Sequence, residues 1–137
     1  MKTFRILSLA ILSVAFVMGS CSKYEEGPAL SLRTKKARIT GEWEVEKYVS
    51  SNGTESEPSE NDNTTFEIEK DGTYKVNTAL GTVEGTWEFS DDKESLKTTF
   101  SQGGFSQTTT EKIVRLTNKE FWIEDSDGDQ THLKAVE

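Results

Sequence analysis

The sequence predicts an all-β fold, an eight-stranded antiparallel up-and-down barrel with a short N-terminal helix, on three observations. From Gly41 onward, apolar and polar residues alternate with the period of two that is typical of strands with one solvated face. Turn-forming residues separate these runs at short intervals, so neighbouring strands are expected to pair as hairpins. Eight consecutive strands leave two exposed edges, and pairing of the first strand with the last removes both. A flattened β-sandwich is the alternative.

A short helix is predicted immediately before the strands. Ser31 suits the N-cap, Lys36 and Arg38 suit the last turn, and Gly41 suits the position just past the helix. Because so short a helix is unstable alone, we expect it to pack on the barrel through Leu32 and Ile39. Its basic side chains are expected to face solvent, and contact with anionic lipid headgroups is the alternative.

The predicted strands then follow one another with connections of a few residues. Asp71-Gly72 predicts a two-residue hairpin turn. The glycines after Gln102 predict another break, and Ser50–Asn63 is a polar loop without apolar residues. The strands are predicted at residues 43–46, 66–69, 74–76, 83–89, 96–100, 108–116, 120–124 and 131–136.

The run Asp125-Ser126-Asp127-Gly128-Asp129 places carboxylates at alternate positions, as the start of a calcium loop does. The distal glutamate of an EF-hand loop is missing, and Asp-Gly between two strands is typical of a hairpin turn, which we favour. His132 is the only histidine, and zinc needs three or four nitrogen or sulfur ligands. The sequence therefore predicts neither a metal site nor a cofactor.

Residues 1–20 have the three zones of a secretory signal peptide. Lys2 and Arg5 supply the positive start, residues 6–18 are mostly apolar, and small residues follow. The apolar run is shorter than the ~20 residues that a helix needs to cross a bilayer. Cys21 follows directly and resembles the lipidated residue of a lipoprotein box, with an ordinary secreted protein as the alternative. We therefore expect acyl chains on Cys21 to anchor the protein to a membrane, and residues 21–30 to be a tether.

The localisation expected from this arrangement is the outer membrane, at its periplasmic face or at the cell surface. Residues 22–26 resemble the acidic stretch that directs lipoproteins of the Bacteroidota to the surface. The formal net charge of −8 argues against nucleic acid as a partner, because binding to phosphates needs a basic face. The oligomeric state does not follow from the sequence.

Gly41-Glu42-Trp43 after a short helix resembles the Gly-x-Trp signature of the lipocalins. The succession of motifs that follows, over residues 31–137, is similar to the compact lipocalin-like domains of Bacteroidota lipoproteins. The resemblance implies that Trp43 lies across the closed end of the barrel and that Gly41 lets the backbone turn in tightly. Lipocalins also place an arginine over this tryptophan, a position that Lys134 or Arg115 could take here. The motifs that carry the succession are Phe66, Asp71-Gly72-Thr73-Tyr74, Gly85-Thr86-Trp87, Leu116 and Phe121-Trp122-Ile123.

A lipocalin-like barrel of this length must have a shallow lumen, which either is filled by side chains or holds one small ligand. Two functions follow: binding of a small apolar or amphipathic ligand at the open end, or a filled cell-envelope module that contacts a protein or glycan. We predict no enzymatic activity, because no nucleophile elbow is present and the acidic side chains mostly point outward. The predicted ligand-binding residues share the inward face of their strands; they are Phe66, Tyr74, Trp87, Phe89 and Phe100.

Overall fold

The computed structural model describes residues 33–137; the predicted signal peptide and the whole predicted tether, including Cys21, lie outside the described residues. Within the described part, eight of the nine strands form a closed antiparallel barrel in sequence order, which confirms the predicted fold. The elements are α1 (Lys35–Ile39), β1 (Gly41–Val49), β2 (Glu55–Ser56), β3 (Thr65–Ile68), β4 (Thr73–Thr78), β5 (Gly81–Phe89), β6 (Ser95–Gln102), β7 (Phe105–Leu116), β8 (Glu120–Glu124) and β9 (Gln130–Ala135).

Pairing of β1 with β9 closes the barrel. The register places Trp43 opposite Ala135 and Val49 opposite Gln130, so almost the whole length of β1 is paired on that edge. β3 pairs with the first residues of β1, and the two-residue strand β2 pairs with Tyr48 and Val49 at the other end. β2 lies in the predicted polar loop, where no hydrophobic alternation indicated a strand.

The helix α1 begins later than the sequence predicted. Its N-cap is Thr34 rather than Ser31, because the Thr34 hydroxyl accepts a hydrogen bond from the Ala37 N–H at 3.1 Å. At the other end, the Thr40 N–H donates to the Lys36 carbonyl. Gly41 follows with φ 151°, a conformation that residues with a side chain rarely adopt, so the chain passes directly from the helix into β1.

The predicted two-residue turn at Asp71-Gly72 is wrong. The Glu69 N–H donates to the Thr73 carbonyl and the Gly72 N–H to the Glu69 carbonyl, so three residues lie between the hydrogen-bonded Glu69 and Thr73. Gly72 has φ 98°, as in a type I turn followed by a left-handed residue. An Asp-Gly pair is compatible with both turns, and the tertiary register selects this one.

Two-residue turns lie instead between β4 and β5, where Thr78 pairs with Gly81, and between β6 and β7. Gly103 and Gly104 both have positive φ, as a type I′ turn requires, and Gln102 pairs directly with Phe105. β7 therefore begins at Phe105 rather than at the predicted Thr108. Residues 105–110 are exposed, so no alternation of buried and exposed positions in the sequence indicated this part of the hairpin.

The barrel interior is largely filled by side chains. Ile39 from α1, Leu116 from β7 and Phe121 from β8 are almost completely buried and form one cluster with the inward residues of the other strands. Alternate residues of a strand face opposite sides of the sheet, so the acidic positions between them lie outside. The other buried members of the cluster are Trp43, Ile68, Tyr74, Trp87, Leu96, Ile113, Ile123 and Leu133.

Candidate functional site

Helix α1 covers one end of the barrel. The Arg38 guanidinium donates to the Leu116 carbonyl at 3.1 Å, and the Lys35 ammonium donates to the Lys93 carbonyl at 2.7 Å. Both acceptors lie at this end of the strands: Leu116 is the last residue of β7, and Lys93 lies in the turn before β6. The basic side chains expected to face solvent therefore include two that fasten the helix to the barrel.

Trp43 lies at this closed end, beneath the helix. Its exposure is 1%, its ring packs edge-on against Phe121 with centroids 5.6 Å apart, and its indole N–H donates to the Ile39 carbonyl at 2.8 Å. The single polar atom of the side chain is thus satisfied while both ring systems are buried. Trp43 joins the first strand to the helix that covers it.

The five aromatic residues predicted to bind ligand separate into two groups. Phe66, Tyr74 and Phe100 form a row in which Tyr74 stacks on Phe66 at 6.2 Å and meets Phe100 edge-on at 5.5 Å. Tyr74 is buried, whereas the other two are partly exposed. This row runs through the interior from β3 and β4 to β6.

Trp87 and Phe89 form a separate pair with ring centroids 5.3 Å apart. The Trp87 indole N–H donates to the Glu69 carbonyl at 2.7 Å, and the Lys36 ammonium of α1 lies 5.9 Å from its ring centroid. These contacts hold Trp87 near the helix-covered end. Neither residue lines the two cavities described below, and their packing is that of core side chains.

An internal cavity of about 160 Å³ lies beside the aromatic row. Tyr48 lines it and is 38% exposed near the end of β1, so the cavity reaches the surface at the open end of the barrel. The polar loop lies beside this opening, because β2 within it pairs with Tyr48. Burial raises the pKa of Tyr48, and the Asp62 carboxylate of the same loop raises it further. The lining residues are Val45, Tyr48, Phe66, Ile68, Tyr74, Leu96, Glu111, Phe121, Ile123, Thr131 and Leu133.

Glu111 is the charged residue of this lining. It pairs directly with the inward-facing Leu96, so its side chain lies on the inner face of the barrel. Burial raises the pKa of the Glu111 carboxyl, and the Asp125 carboxylate raises it further. The sequence did not indicate an inward position for Glu111, because the acidic residues of the strands alternate with apolar ones and were predicted to point outward.

A second, open depression of about 600 Å³ lies where β5, β6 and β7 extend past the other strands. Phe105 is 84% exposed at the tip of the β6–β7 hairpin, and Val83 is half exposed on β5. Phe100 belongs to both this depression and the aromatic row, so its ring stands between the two spaces. The other lining residues are Thr82, Glu84, Ser101, Gln102, Ser106 and Gln107.

Solved structures that resemble this domain include two from Bacteroides species. A lipocalin-like protein from Bacteroides uniformis ATCC 8492 has a TM-score of 0.58 and 15% sequence identity, covering 72% of this chain and 99% of that chain. An uncharacterized protein from Bacteroides eggerthii DSM 20697 has a TM-score of 0.57 and 16% identity, covering 71% and 98%. The domain has a lipocalin-like fold. No protein-family model and no curated protein matches the sequence.

At the open end of the lipocalin-like barrel, the Asp125–Asp129 segment forms a hairpin turn. The Asp125 N–H donates to the Asp129 carbonyl, and Gly128 takes φ 84°. The Asp125 carboxylate accepts hydrogen bonds from the N–H groups of Asp127 and Asp129, and the Asp129 carboxylate accepts one from Ser51. The Asp125 carboxylate thus stabilises the turn itself, and the Asp129 carboxylate joins the turn to Ser51.

On the outside of the lipocalin-like barrel, three side chains form a stack. The rings of Trp122 and His132 are parallel with centroids 3.8 Å apart, and the Arg115 guanidinium lies 5.0 Å from the Trp122 ring centroid. Arg115 also forms an ion pair with Glu120 at 2.8 Å, and Lys134 forms one with Glu44 at 3.2 Å. The cation–π contact considered for Trp43 is therefore made by Arg115 with a different tryptophan.

Within residues 33–137, no group of three or more histidine, cysteine, aspartate or glutamate side chains is arranged to hold a metal ion. Likewise, this range contains no helix that is both long and apolar enough to span a membrane.

Proposed function

We propose that this protein is a membrane-anchored lipocalin-like lipoprotein that binds a small apolar or amphipathic ligand at the open end of its barrel, without catalysing a reaction. The observation that carries the proposal is the internal cavity, which is bordered by Phe66 and Tyr74 and reaches the surface beside Tyr48. Apolar walls with a few polar groups are typical of ligand sites. Of the five predicted residues, Phe66 and Tyr74 border this cavity, Phe100 packs against Tyr74, and Trp87 and Phe89 belong to the supporting core.

The size of the cavity limits the ligand. Drug-sized ligands occupy pockets of roughly 300–1,000 Å³, whereas cavities of about 150 Å³ hold a single benzene ring. At about 160 Å³, the cavity therefore suits one aromatic ring or a short alkyl chain. Any larger part of a ligand would extend toward the open end, so that affinities in the micromolar range or weaker are expected because little apolar surface is withdrawn from water.

Filling the cavity is expected to abolish binding. Thr131 lines the cavity on β9 and is partly exposed, so the Thr131→Phe ring would occupy the ligand's space. Calorimetric titration of the purified full chain in lipid nanodiscs with the neutral probe 3-phenyl-1-propanol should show affinity lowered by at least about tenfold, the effect of losing one buried aromatic contact.

Phe105→Ala provides the matched control, because Phe105 lies at the hairpin tip and does not line the internal cavity. Its affinity for the probe should equal that of the wild type. If Phe105→Ala weakens binding and Thr131→Phe does not, the ligand lies in the open depression instead. If the wild type binds neither this probe nor short-chain fatty acids below about a millimolar, and native mass spectrometry finds no retained ligand, the carrier function is wrong.

The second candidate is an interaction module that contacts a protein or glycan of the cell envelope. The apolar side chains exposed at the open end favour it: Leu80 is fully exposed at the β4–β5 turn, and Phe105 is exposed at the neighbouring hairpin tip. Contiguous exposed apolar residues are typical of contact surfaces. The titration above separates the two functions, because a contact module with a filled core would bind none of the small probes.

The anchoring part of the proposal depends on Cys21. Cys21→Ala is expected to remove lipidation entirely, because a thioether can form only at the cysteine sulfur. Incorporation of a radiolabelled fatty acid would be compared between wild type and variant, with Ser22→Ala as the control that retains the thiol. Equal labelling of the wild type and Cys21→Ala would contradict the assignment.

A further inference from the structure

The Glu111 carboxylate lacks the partners that other acidic side chains of the barrel have. On the outer surface, Glu88 pairs with Lys97 at 3.0 Å and Glu120 pairs with Arg115. Among the residues that the structure describes, none forms a hydrogen bond or ion pair with Glu111. A carboxylate that faces an apolar cavity without a partner is destabilised by the loss of hydration.

The cavity places this carboxylate among apolar groups and beside its opening. Phe66, Tyr74 and Phe121 line the same space. The last pair between β7 and β8 is Lys112 with Glu124, so Glu111 lies just beyond the end of that ladder, next to Asp125. The site therefore combines an apolar interior with negative charge at the rim.

The chemistry of such a site favours one class of ligand. A cation relieves the cost of the unpaired carboxylate and adds a charge-assisted hydrogen bond, which is about twice as strong as a neutral one. An anion would be repelled by both Glu111 and Asp125. The formal net charge of −8 on the chain further favours the approach of cations over anions.

We propose that the cavity binds a small amphipathic ammonium compound of the size of an arylalkylamine, with its ring among Phe66, Tyr74 and Phe121 and its ammonium group on the Glu111 carboxylate. This inference rests on the proposed function, because it names the ligand class of the same site. The volume of about 160 Å³ accommodates the ring, and the partly exposed position of Glu111 leaves the ammonium group in contact with water.

Three probes with the same hydrocarbon body test this inference: 3-phenylpropylamine, 3-phenyl-1-propanol and 3-phenylpropionate. Each would be titrated calorimetrically into the purified full chain in zwitterionic nanodiscs, with empty nanodiscs as the blank. We expect the amine to bind the wild type at least about tenfold more tightly than the alcohol, in line with a hydrogen bond to a charged group, and the acid to bind most weakly.

Glu111→Gln keeps the shape of the side chain and removes its charge. It should lower the affinity for the amine about tenfold, to that of the alcohol, and change the affinity for the alcohol less than about twofold. Glu88→Gln, on the outer surface, is the matched control and should bind all three probes as the wild type does. Circular dichroism would verify that each variant is folded.

Several outcomes overturn the inference. Equal affinities of amine and alcohol in the wild type, or an unchanged affinity for the amine in Glu111→Gln, would contradict it while the binding of the alcohol still supports the carrier function. Absence of binding by all three probes would contradict both proposals. If Glu111→Gln does not fold, the order of the three affinities in the wild type decides the question.

Discussion

Trp43→Ala is expected to lower the free energy of unfolding by about 3–5 kcal/mol, the range for truncating a buried tryptophan to alanine. The side chain is 1% exposed, so its removal leaves a cavity that neighbouring residues cannot easily fill. It also removes the hydrogen bond to the Ile39 carbonyl and the edge contact with Phe121. Urea unfolding followed by circular dichroism would measure the change.

Phe105→Ala is the control for this prediction, because it also removes an aromatic ring from the chain. Phe105 is 84% exposed, so its truncation should change the free energy of unfolding by less than about 0.5 kcal/mol. A Trp43→Ala variant with the urea midpoint of the wild type would mean that the closed end is stable without this ring, and the assignment of Trp43 as the link between α1 and the barrel would be wrong.

Gly85→Ala is expected to destabilise the barrel by about 1–3 kcal/mol, as overpacking of a well-packed interior does. A Cβ atom at position 85 would overlap the Thr99 carbonyl oxygen and would lie 2.8 Å from Cδ1 of Phe100. The Thr99 carbonyl belongs to the neighbouring strand and cannot rotate away, so the β5–β6 pairing itself must shift. Thermal unfolding of the variant would measure the loss.

Glu84→Ala, at the preceding and exposed position of β5, is the matched control and should leave stability within about 0.5 kcal/mol of the wild type. The Gly85 prediction also concerns the site, because the displaced Phe100 ring stands between the internal cavity and the open depression. A Gly85→Ala variant of unchanged stability would show that β5 and β6 can separate without cost, and that the close approach does not constrain Phe100.

Hydrophobic alternation was sufficient to predict most of the barrel. Tyr74 and Trp87, for example, were assigned to an inner face from the period of two, and both are buried. The two extensions that it missed, β2 and the start of β7, consist of polar or exposed residues. Their backbone hydrogen bonds depend on a neighbouring strand, which leaves no pattern in the local sequence.

The candidate site was only partly predictable for the same reason. An inward position for Phe66, Tyr74, Trp87, Phe89 and Phe100 follows from alternation, but alternation does not distinguish a cavity wall from the core. Because α1 packs on the closed end, Lys36 lies near the Trp87 ring, whereas Tyr74 borders the internal cavity. The depth of a residue along the barrel axis depends on the stagger of the strands, and the sequence pattern does not predict that stagger.

The sequence by itself therefore determined the fold class. The period of two and the turn residues are local properties of the chain, and closure of the barrel follows from the succession of strands that they predict. The sequence also carries the Cys21 motif, which is chemistry of one position and its neighbours. Only the tertiary structure decided that Glu111 faces the inside without a partner and that Phe100 lies over Gly85. Both depend on which residues of different strands meet across the barrel, and that is set by the register of the closed sheet.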